Sequence, residues 1–314
     1  MTDEVKNDAS RRMRWQACLH ATRPPFLLLA PLCVLIGVGA ARVEGLPLSW
    51  RDVWLALLGS LTAHAAVNLL NEYHDFRSGL DAMTRRTPFS GGSGALPACP
   101  RAAPLVALAG AACLTATVLV GGYFLMQRGV PMLVFGGAGL ALVWGYTGWI
   151  VRRPWLCLLA PGVGFGVLIV LGSHWAVSGQ LSGTVLTAAP IPTLLVSALL
   201  LVNQLPDIDA DRQVGRRHLA IVLGLRRAAR VAAWLNAAAF AWLALALMAG
   251  GLPGGTWPAL LPGLAAGWLC LGLYRLEQCA GDGERRLLLP LMAAQVGILL
   301  VTLAVLDLGL WWAG

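Results

Sequence analysis

Charged side chains are scarce in this sequence of 314 residues: Asp, Glu, Lys and Arg together make up 12% of it, against roughly 25% in soluble domains. Hydrophobic residues make up 58%, and the mean hydropathy is +0.71. This composition excludes an ordinary soluble protein. We therefore predict a polytopic membrane protein that folds as one helical bundle, although the length alone would suggest about two soluble domains.

Metal-binding cysteine patterns are also missing. The seven cysteines are scattered, with no Cys-x-x-Cys pair and no Cys/His spacing, which argues against structural zinc and against a disulfide framework. We interpret them as small apolar residues at helix interfaces. No cleavable signal is evident, because the first 22 residues are polar and basic and the apolar run that follows behaves as an anchor.

Long apolar runs are what the sequence has in abundance. The runs are continuous rather than alternating, which excludes a membrane β-barrel, and each is about 20 residues long, as a transmembrane helix requires. The Gly121-Gly122 pair is a candidate break in the third run. We predict an all-α fold with nine transmembrane helices around a central cavity, at about 25–41, 53–71, 102–126, 130–150, 154–177, 189–206, 229–250, 256–274 and 287–313.

The net charge of +8 does not indicate nucleic-acid binding, because of where the basic residues lie. If the N-terminus is inside and the spans alternate, all but three of the 23 basic residues face the cytoplasm. The exceptions are Arg42, Arg51 and Arg128. The positive-inside rule therefore predicts an N-in, C-out topology. Residues 1–22 are predicted as a polar cytoplasmic tail along anionic headgroups, and residues 23–314 as the transmembrane domain.

Two polar stretches interrupt apolar runs at the predicted cytoplasmic ends of spans 2 and 6: residues 68–75 (Asn-Leu-Leu-Asn-Glu-Tyr-His-Asp) and 203–211 (Asn-Gln-Leu-Pro-Asp-Ile-Asp-Ala-Asp). Acidic residues at the membrane edge are costly and mark functional sites. Asp209 is two residues off the common face of its stretch. If each stretch continues as a helix, the helical spacing places on one face Asn68, Asn71, Glu72 and Asp75, and on another Asn203, Asp207 and Asp211.

These side chains supply hard oxygen ligands, which favour Mg²⁺ over softer metals. Mg²⁺ takes one or two protein carboxylates and completes its shell with water and substrate phosphates. Two facing acidic clusters therefore predict two or more Mg²⁺ ions bridging a diphosphate, with loop arginines on the remaining phosphate oxygens. An apolar tail can then lie between the helices. The predicted ligand is a lipid-tailed diphosphate, with the metal as Lewis acid at the leaving group.

The two stretches resemble the paired motifs of the UbiA superfamily of intramembrane prenyltransferases, and most of all its 1,4-dihydroxy-2-naphthoate prenyltransferases of menaquinone synthesis. Residues 68–81 read Asn-x-x-Asn-Glu-Tyr-x-Asp-x-x-x-Gly-x-Asp, which resembles the family's N-x-x-N-D-Y-x-D-x-x-x-G-x-D. Residues 203–224 read Asn-x-x-x-Asp-Ile-x-x-Asp-Arg-x-x-Gly-Arg-x-x-Leu-Ala-x-x-Leu-Gly, which resembles the second motif. Arg23-Pro24 and Tyr146-Thr147-Gly148 fall in the family's order.

The resemblance implies Mg²⁺-assisted ionisation of an allylic prenyl diphosphate and attack by an aromatic carbon of a quinone-precursor-like acceptor, with release of pyrophosphate. It implies metal ligands at Asn68, Glu72, Asp75, Asp81, Asp207 and Asp211. It implies diphosphate contacts by Arg23, Asn68, Asn71, Arg85, Arg86, Asn203 and Arg212. The catalytic residues that it implies are Asp75, Asp207, Asp211 and Tyr146, the tyrosine hydrogen-bonding near the cation or the acceptor.

Three positions depart from the naphthoate enzymes: Glu72 stands where Asp is usual, Pro206 where Arg is common, and His218 where Thr is common. Two alternatives remain open at this stage. A UbiA-type terpene cyclase would ionise the same diphosphate in a short closed pocket, and an ion-coupled transporter would place its acids near the bilayer midplane. The expected partners are the two substrates and membrane lipids, without nucleic acid or an obligatory protein partner. The expected location is the inner membrane, with the active site toward the cytoplasmic side.

Overall fold

The computed structural model describes residues 3–84, 86–146, 148–276 and 282–314. Within these ranges every regular element is helical, which confirms the all-α prediction. The helices are α1 (Asp3–Ala21), α2 (Pro24–Leu27), α3 (Leu29–Val43), α4 (Trp50–Arg77), α5 (Leu80–Met83), α6 (Ala95–Ala98), α7 (Ala103–Arg128), α8 (Pro131–Gly145), α9 (Pro154–Gly162), α10 (Val170–Ser178), α11 (Gly183–Ala188), α12 (Pro190–Gln204), α13 (Ile208–Gln213), α14 (Leu219–Met248), α15 (Pro262–Arg275) and α16 (Asp282–Ala313).

Short non-α segments join some of these helices. A π-helical segment, Val163–Ile169, connects α9 to α10 without a break in direction along the chain. Segments of 3-10 helix precede α7, α9 and α15, at Pro100–Ala102, Ile150–Arg152 and Gly254–Leu260. Gly224 has a φ of +73° and kinks the first turns of α14.

Eight helical segments of the described chain are long and apolar enough to cross a membrane, and each coincides with a predicted span. Predicted span 4 corresponds to α8, which has 15 residues. Its length of about 22 Å, at 1.5 Å per residue, is shorter than the roughly 30 Å hydrocarbon core. The count of nine spans and the N-in orientation stay predictions. The eight segments are Pro24–Val43, Trp50–Arg77, Pro100–Arg128, Pro154–Ser178, Gly183–Gln204, Leu219–Met248, Gly254–Arg275 and Arg286–Ala313.

The structure corrects one local expectation, a break in the third run, and gives the conformation of the N-terminal segment. Helix α7 passes through Gly121-Gly122 without a break, because glycine weakens a helix by only about 1 kcal/mol and packing along α4 outweighs that. The segment predicted as a polar tail is a helix, α1, whose last turns bury Ala17, Cys18 and Ala21 in an apolar cluster with α6 and α7. The last turns of α1 are thereby packed onto the bundle.

Helix α12 lies at the centre of the bundle and contributes to both large apolar clusters. Its backbone approaches the α9–α10 segment closely at Gly162 and Gly166, where an added Cβ would collide with Thr193. The opposite side of the bundle is packed differently. No residue of α8 is buried, and Cβ atoms added at Gly136 and Gly137 would meet no atom within 4 Å.

Candidate active site

A cavity of about 650 Å³ lies between α4, α7, α8, the α9–α10 segment and α12. Its lining is mainly apolar, and on α4 it extends from Ala56 to Asp75, which is about 28 Å along the helix axis at 1.5 Å per residue. Polar side chains gather at the end where α4 and α12 finish. The lining residues there are Arg23, Asn68, Asn71, Asp75, Asp81, Tyr146, Asn203, Gln204, Asp207, Asp211, Arg216 and His218.

The first motif occupies the last turns of α4, which is unbroken through this stretch. Asn68, Asn71 and Asp75 line the cavity, as their spacing predicts. Nδ2 of Asn68 donates to the Thr22 carbonyl at 2.8 Å, and Nδ2 of Asn71 donates to Oδ2 of Asp75 at 3.0 Å. Glu72 is fully buried beside the cavity rather than in its wall. One helical face therefore presents three of the four predicted side chains to the cavity.

The second motif does not continue as a helix: α12 ends at Gln204 and α13 begins at Ile208. Pro206 accounts for the interruption, because it lacks an N–H group and disfavours helical geometry in the residue before it. Asp209 is 90% exposed, off the cavity as its position predicts. The turn still brings the three remaining predicted residues to the cavity wall: Asn203, Asp207 and Asp211.

Arg216 connects the two motifs. Its guanidinium forms ion pairs with Asp75 and with Oδ1 of Asp211, the second at 3.0 Å. Nε2 of His218 lies 2.8 Å from the other oxygen of Asp211. Burial alone would lower the pKa of Arg216, but the carboxylates of Asp75 and Asp211 outweigh it and raise that pKa. The sequence reasoning missed Arg216; two facing acid clusters need a buried counter-charge, and that was the available signal.

Glu72 holds a glycine-rich loop against α4. Its carboxylate accepts hydrogen bonds from the backbone N–H of Ser93, at 3.1 and 3.0 Å to the two oxygens, and from the Ser93 hydroxyl. Nη2 of Arg23 donates to Oε2 at 3.3 Å. At Gly92, where φ is +76°, an added Cβ would lie 2.9 Å from Oδ1 of Asp81. Glu72 is thus engaged by protein groups, and its predicted role as a metal ligand stays a prediction.

Asp81 and Asp207 each carry one oxygen atom without a hydrogen-bond partner among the described residues. Oδ2 of Asp81 and Oδ1 of Asp207 are buried and accept no hydrogen bond from the described residues. Burial, followed by the nearby Glu72 carboxylate, raises the pKa of Asp81 to about 7. Burial, followed by the Asp211 carboxylate, raises the pKa of Asp207 to about 7. Unpaired buried carboxylates are destabilising unless a cation or a proton compensates them.

The donor set fits a hard cation held together with a phosphate ligand. Among the described residues, no three His, Cys, Asp or Glu side chains converge closely enough to enclose a metal on their own. Mg²⁺ does not need such a cage, because it usually keeps water and substrate phosphates in its shell beside one or two carboxylates. The unpartnered oxygens of Asp81 and Asp207 suit that role, and Asp75 and Asp211 line the same end of the cavity.

The remaining predicted arginines lie elsewhere. Arg85 falls outside the described residues. Arg86 is exposed, although its charge lowers the pKa of Asp81. Arg212 is exposed, pairs with Asp209 at 3.5 Å and does not line the cavity. In the described part of the chain, the cavity-lining arginines at the acidic end are therefore Arg23 and Arg216.

Solved structures share this fold. Digeranylgeranylglyceryl phosphate synthase matches with a TM-score of 0.65 at 13% sequence identity, over 95% of this chain and 99% of that one. A UbiA homologue from Archaeoglobus fulgidus, solved with DMAPP and Mg²⁺, matches with a TM-score of 0.61 at 15% identity, over 92% and 98% of the two chains. At these identities the likeness establishes the fold.

Comparison of the sequence with known proteins identifies the family. Two proteins named 1,4-dihydroxy-2-naphthoate octaprenyltransferase are each 30% identical to this chain. The one from Escherichia coli K12 aligns over 241 residues, 74% of this chain and 76% of the relative. The one from Bacillus subtilis 168 aligns over 248 residues, 76% of this chain and 74% of the relative. The pattern that defines the UbiA prenyltransferase family matches residues 30–296. The chain therefore belongs to the UbiA prenyltransferase family, and it is an integral membrane prenyltransferase.

Proposed function

We propose that this enzyme transfers an isoprenyl chain from a prenyl diphosphate to 1,4-dihydroxy-2-naphthoate or a closely similar aromatic acceptor, in a Mg²⁺-dependent reaction that releases pyrophosphate. The observation that carries the proposal is the cavity, which extends about 28 Å along α4, at 1.5 Å per residue, and joins an end rich in acids and arginines to an apolar wall. The polar end suits a diphosphate, and the apolar wall suits its tail.

The metal would be held at the polar end, with two or more ions expected. The candidate ligands are oxygen atoms of Asn68, Glu72, Asp75, Asp81, Asp207 and Asp211, and the unpartnered oxygens of Asp81 and Asp207 are the best supported. When bound with substrate, Mg²⁺ would neutralise the negative charge that develops on the leaving pyrophosphate. Side chains of Asn71 and Asn203 line the same end and can support the ligands or the diphosphate.

The protein's own side chains would bind and orient the donor. The guanidinium groups of Arg23 and Arg216 line the acidic end, and their N–H groups can donate to phosphate oxygens. The apolar wall beyond them would exclude water from the allylic carbon, so that the acceptor rather than water attacks it. Tyr146 lines the cavity near the acids, where its hydroxyl can hydrogen-bond beside the reacting carbon.

Support for the acceptor comes from the relatives, since the proteins from Escherichia coli and Bacillus subtilis are named for a naphthoate substrate. Support for a metal and a prenyl diphosphate comes from the neighbours solved with DMAPP or GPP and Mg²⁺. The length of the cavity favours transfer over cyclisation, because a cyclase needs a short closed pocket that folds the chain back on itself. We place the site at the cytoplasmic side of the inner membrane, from the distribution of basic residues.

The test uses purified protein in detergent with Mg²⁺, geranylgeranyl diphosphate and a panel of aromatic acceptors that includes dihydroxynaphthoate. Pyrophosphate and lipid products are followed together, and a parallel sample contains EDTA. We expect Mg²⁺-dependent pyrophosphate release with a prenylated naphthoate. Release with only a cyclised hydrocarbon or alcohol would move the protein to the cyclases. Absence of release with donors of every length tried would contradict the proposed function and reopen the transporter alternative.

A further inference from the structure

His64 has a place in the cavity that the proposed reaction does not yet use. It lies four residues before Asn68 and eleven before Asp75, on the same face of α4, and it lines the cavity. The side chain is more than nine-tenths buried, with 9% of the residue exposed. Its Nδ1 has no hydrogen-bond partner among the described residues. A buried imidazole with an unpaired nitrogen is destabilising unless a ligand or water pairs with it.

Apolar side chains lie next to His64 in the cavity wall. Phe165 meets the imidazole ring edge-on, with ring centroids 4.8 Å apart and an interplanar angle of 72°. Phe165 belongs to the π-helical segment between α9 and α10 and also lines the cavity. Such π segments inside α-helices are frequent at functional sites. Val67, the next residue toward the acids that lines the cavity on α4, is apolar too. Among the described residues on this part of α4, His64 therefore presents an unpartnered polar atom next to apolar side chains.

A prenyl tail cannot satisfy that group, because a hydrocarbon chain has no hydrogen-bonding atoms. An aromatic acceptor with a ring hydroxyl can, since an imidazole nitrogen accepts from a hydroxyl and the ring N–H donates to one. The axial rise from Asp75 to His64 is roughly 16 Å, at 1.5 Å per residue. This length accommodates a metal-bound diphosphate, a reacting pair of carbons about 3–3.5 Å apart and one aromatic ring system.

We propose that His64 binds a ring hydroxyl of the aromatic acceptor, on the side of the acceptor away from the diphosphate, with the edge of Phe165 against the same ring. This inference rests on the proposed function and deepens it: it assigns the acceptor-binding subsite to the middle of α4. His64 would orient the acceptor so that its attacked carbon faces the allylic carbon. The diphosphate and its metal would not touch His64.

The test compares His64→Phe, His64→Gln and the wild type in steady-state kinetics with dihydroxynaphthoate, geranylgeranyl diphosphate and Mg²⁺. For His64→Phe we expect the KM for the acceptor to rise at least about tenfold, as the loss of one buried hydrogen bond predicts. The KM for the prenyl diphosphate should stay within about twofold, since the charged groups that bind its diphosphate lie at the other end of the cavity and its tail makes no hydrogen bond that His64→Phe could remove. His64→Gln retains a donor and an acceptor and should recover part of the acceptor affinity.

Ser60→Ala is the matched control. Ser60 lies one turn before His64 on the same face and lines the cavity, but its hydroxyl already donates to the Leu57 carbonyl at 3.1 Å. This variant should leave both KM values unchanged. An unchanged acceptor KM in His64→Phe, or equal increases in both KM values, would overturn the assignment of His64 while wild-type transfer still upholds the proposed function. Binding of geranylgeranyl diphosphate with Mg²⁺, measured directly, verifies that each variant is folded.

Discussion

The guanidinium of Arg216 pairs with the carboxylate of Asp75, which lies 141 positions earlier in the chain. The same guanidinium pairs with Asp211, so one cation joins the two acidic motifs across the cavity. In the metal-free protein this arginine compensates charges that would otherwise repel one another in a buried setting. Binding of Mg²⁺ and a diphosphate would add new partners to the same carboxylates.

Replacement of Arg216 should therefore expose that repulsion. We expect Arg216→Gln to lower the Tm of the metal-free protein by several degrees, because removal of one partner from a buried ion pair costs on the order of 3 kcal/mol. Added Mg²⁺ should restore part of the loss. Thermal unfolding in detergent, with and without Mg²⁺, measures both effects.

Arg212→Gln is the control for that experiment. Arg212 is 58% exposed and its partner Asp209 is 90% exposed, and exposed pairs of this kind contribute little to stability. The Tm should be unchanged. Equal decreases in Tm in the two variants would show that Arg216 stabilises the protein no more than an exposed loop arginine does.

Asp207 should be essential for turnover and dispensable for folding. Its Oδ1 accepts no hydrogen bond from the described residues, so Asp207→Asn keeps the shape and removes the charge that a cation at this oxygen would need. We expect kcat/KM to fall at least about 100-fold, equivalent to about 2.7 kcal/mol, with no decrease in Tm, because burial already disfavours the charged form of this carboxyl. Asp209→Asn alters an exposed carboxylate two positions away and should keep full activity. Full activity of Asp207→Asn would exclude its assignment as a metal ligand.

The dependence of Mg²⁺ binding on pH follows from the pKa values of Asp81 and Asp207, each raised to about 7. Below that pH both carboxyls hold a proton that the metal must displace. The half-saturating Mg²⁺ concentration should therefore fall as pH rises from 6 to 8, by about tenfold per carboxyl. Because these pKa values are raised in the folded state, the metal-free protein should also lose stability as pH rises from about 4 toward 7.

Titration of Mg²⁺ against pyrophosphate release at each pH measures this dependence. Asp207→Asn retains Asp81, so residual turnover in that variant should show the shallower dependence of a single carboxyl. A half-saturating concentration that stays constant between pH 6 and pH 8 would contradict the raised pKa values.

Replacement of Gly92 should lower activity more than replacement of Gly79, a glycine with the same backbone geometry. Gly92 and Gly79 have φ values of +76° and +77°, but only a Cβ at Gly92 meets neighbours, with Oδ1 of Asp81 at 2.9 Å. Gly79→Ala reports the strain of a left-handed residue, about 1 kcal/mol. Gly92→Ala adds a contact with a predicted metal ligand, so we expect it to lose activity far beyond Gly79→Ala in the same assay. Similar activities of the two variants would show that the loop around Gly92 shifts to accommodate the added methyl group.

The spans and the first motif could be predicted because they depend on local properties. Hydropathy over about 20 residues does not depend on what a helix packs against, and eight of the predicted spans correspond to long apolar helices in the described chain. The spacing of Asn68, Asn71 and Asp75 gives one helical face, since α4 continues through them. The family follows from the same motifs.

What could not be predicted depends on contacts between distant segments. Arg212 and Arg216 both follow the acidic stretch 203–211, and only the turn after α13 decides that Arg212 is exposed and that Arg216 pairs with Asp75. Glu72 takes the place of a motif Asp and is predicted as a metal ligand, yet Ser93, 21 positions later, donates hydrogen bonds to its carboxylate. The lack of a partner for Nδ1 of His64 among the described residues is likewise a property of the packed cavity, because no local sequence pattern indicates which side chains will find a partner.

The close contact of Gly162 and Gly166 with α12 has a consequence for how the cavity can change shape. Backbones that touch at Thr193 cannot separate without losing that packing, so the α9–α12 wall should move as one stiff body. The α8 wall, with no buried residue and open space at Gly136 and Gly137, is the compliant one. When a bulky hydrocarbon enters the cavity, α8 should therefore move outward. The wall that carries the second motif should keep its geometry.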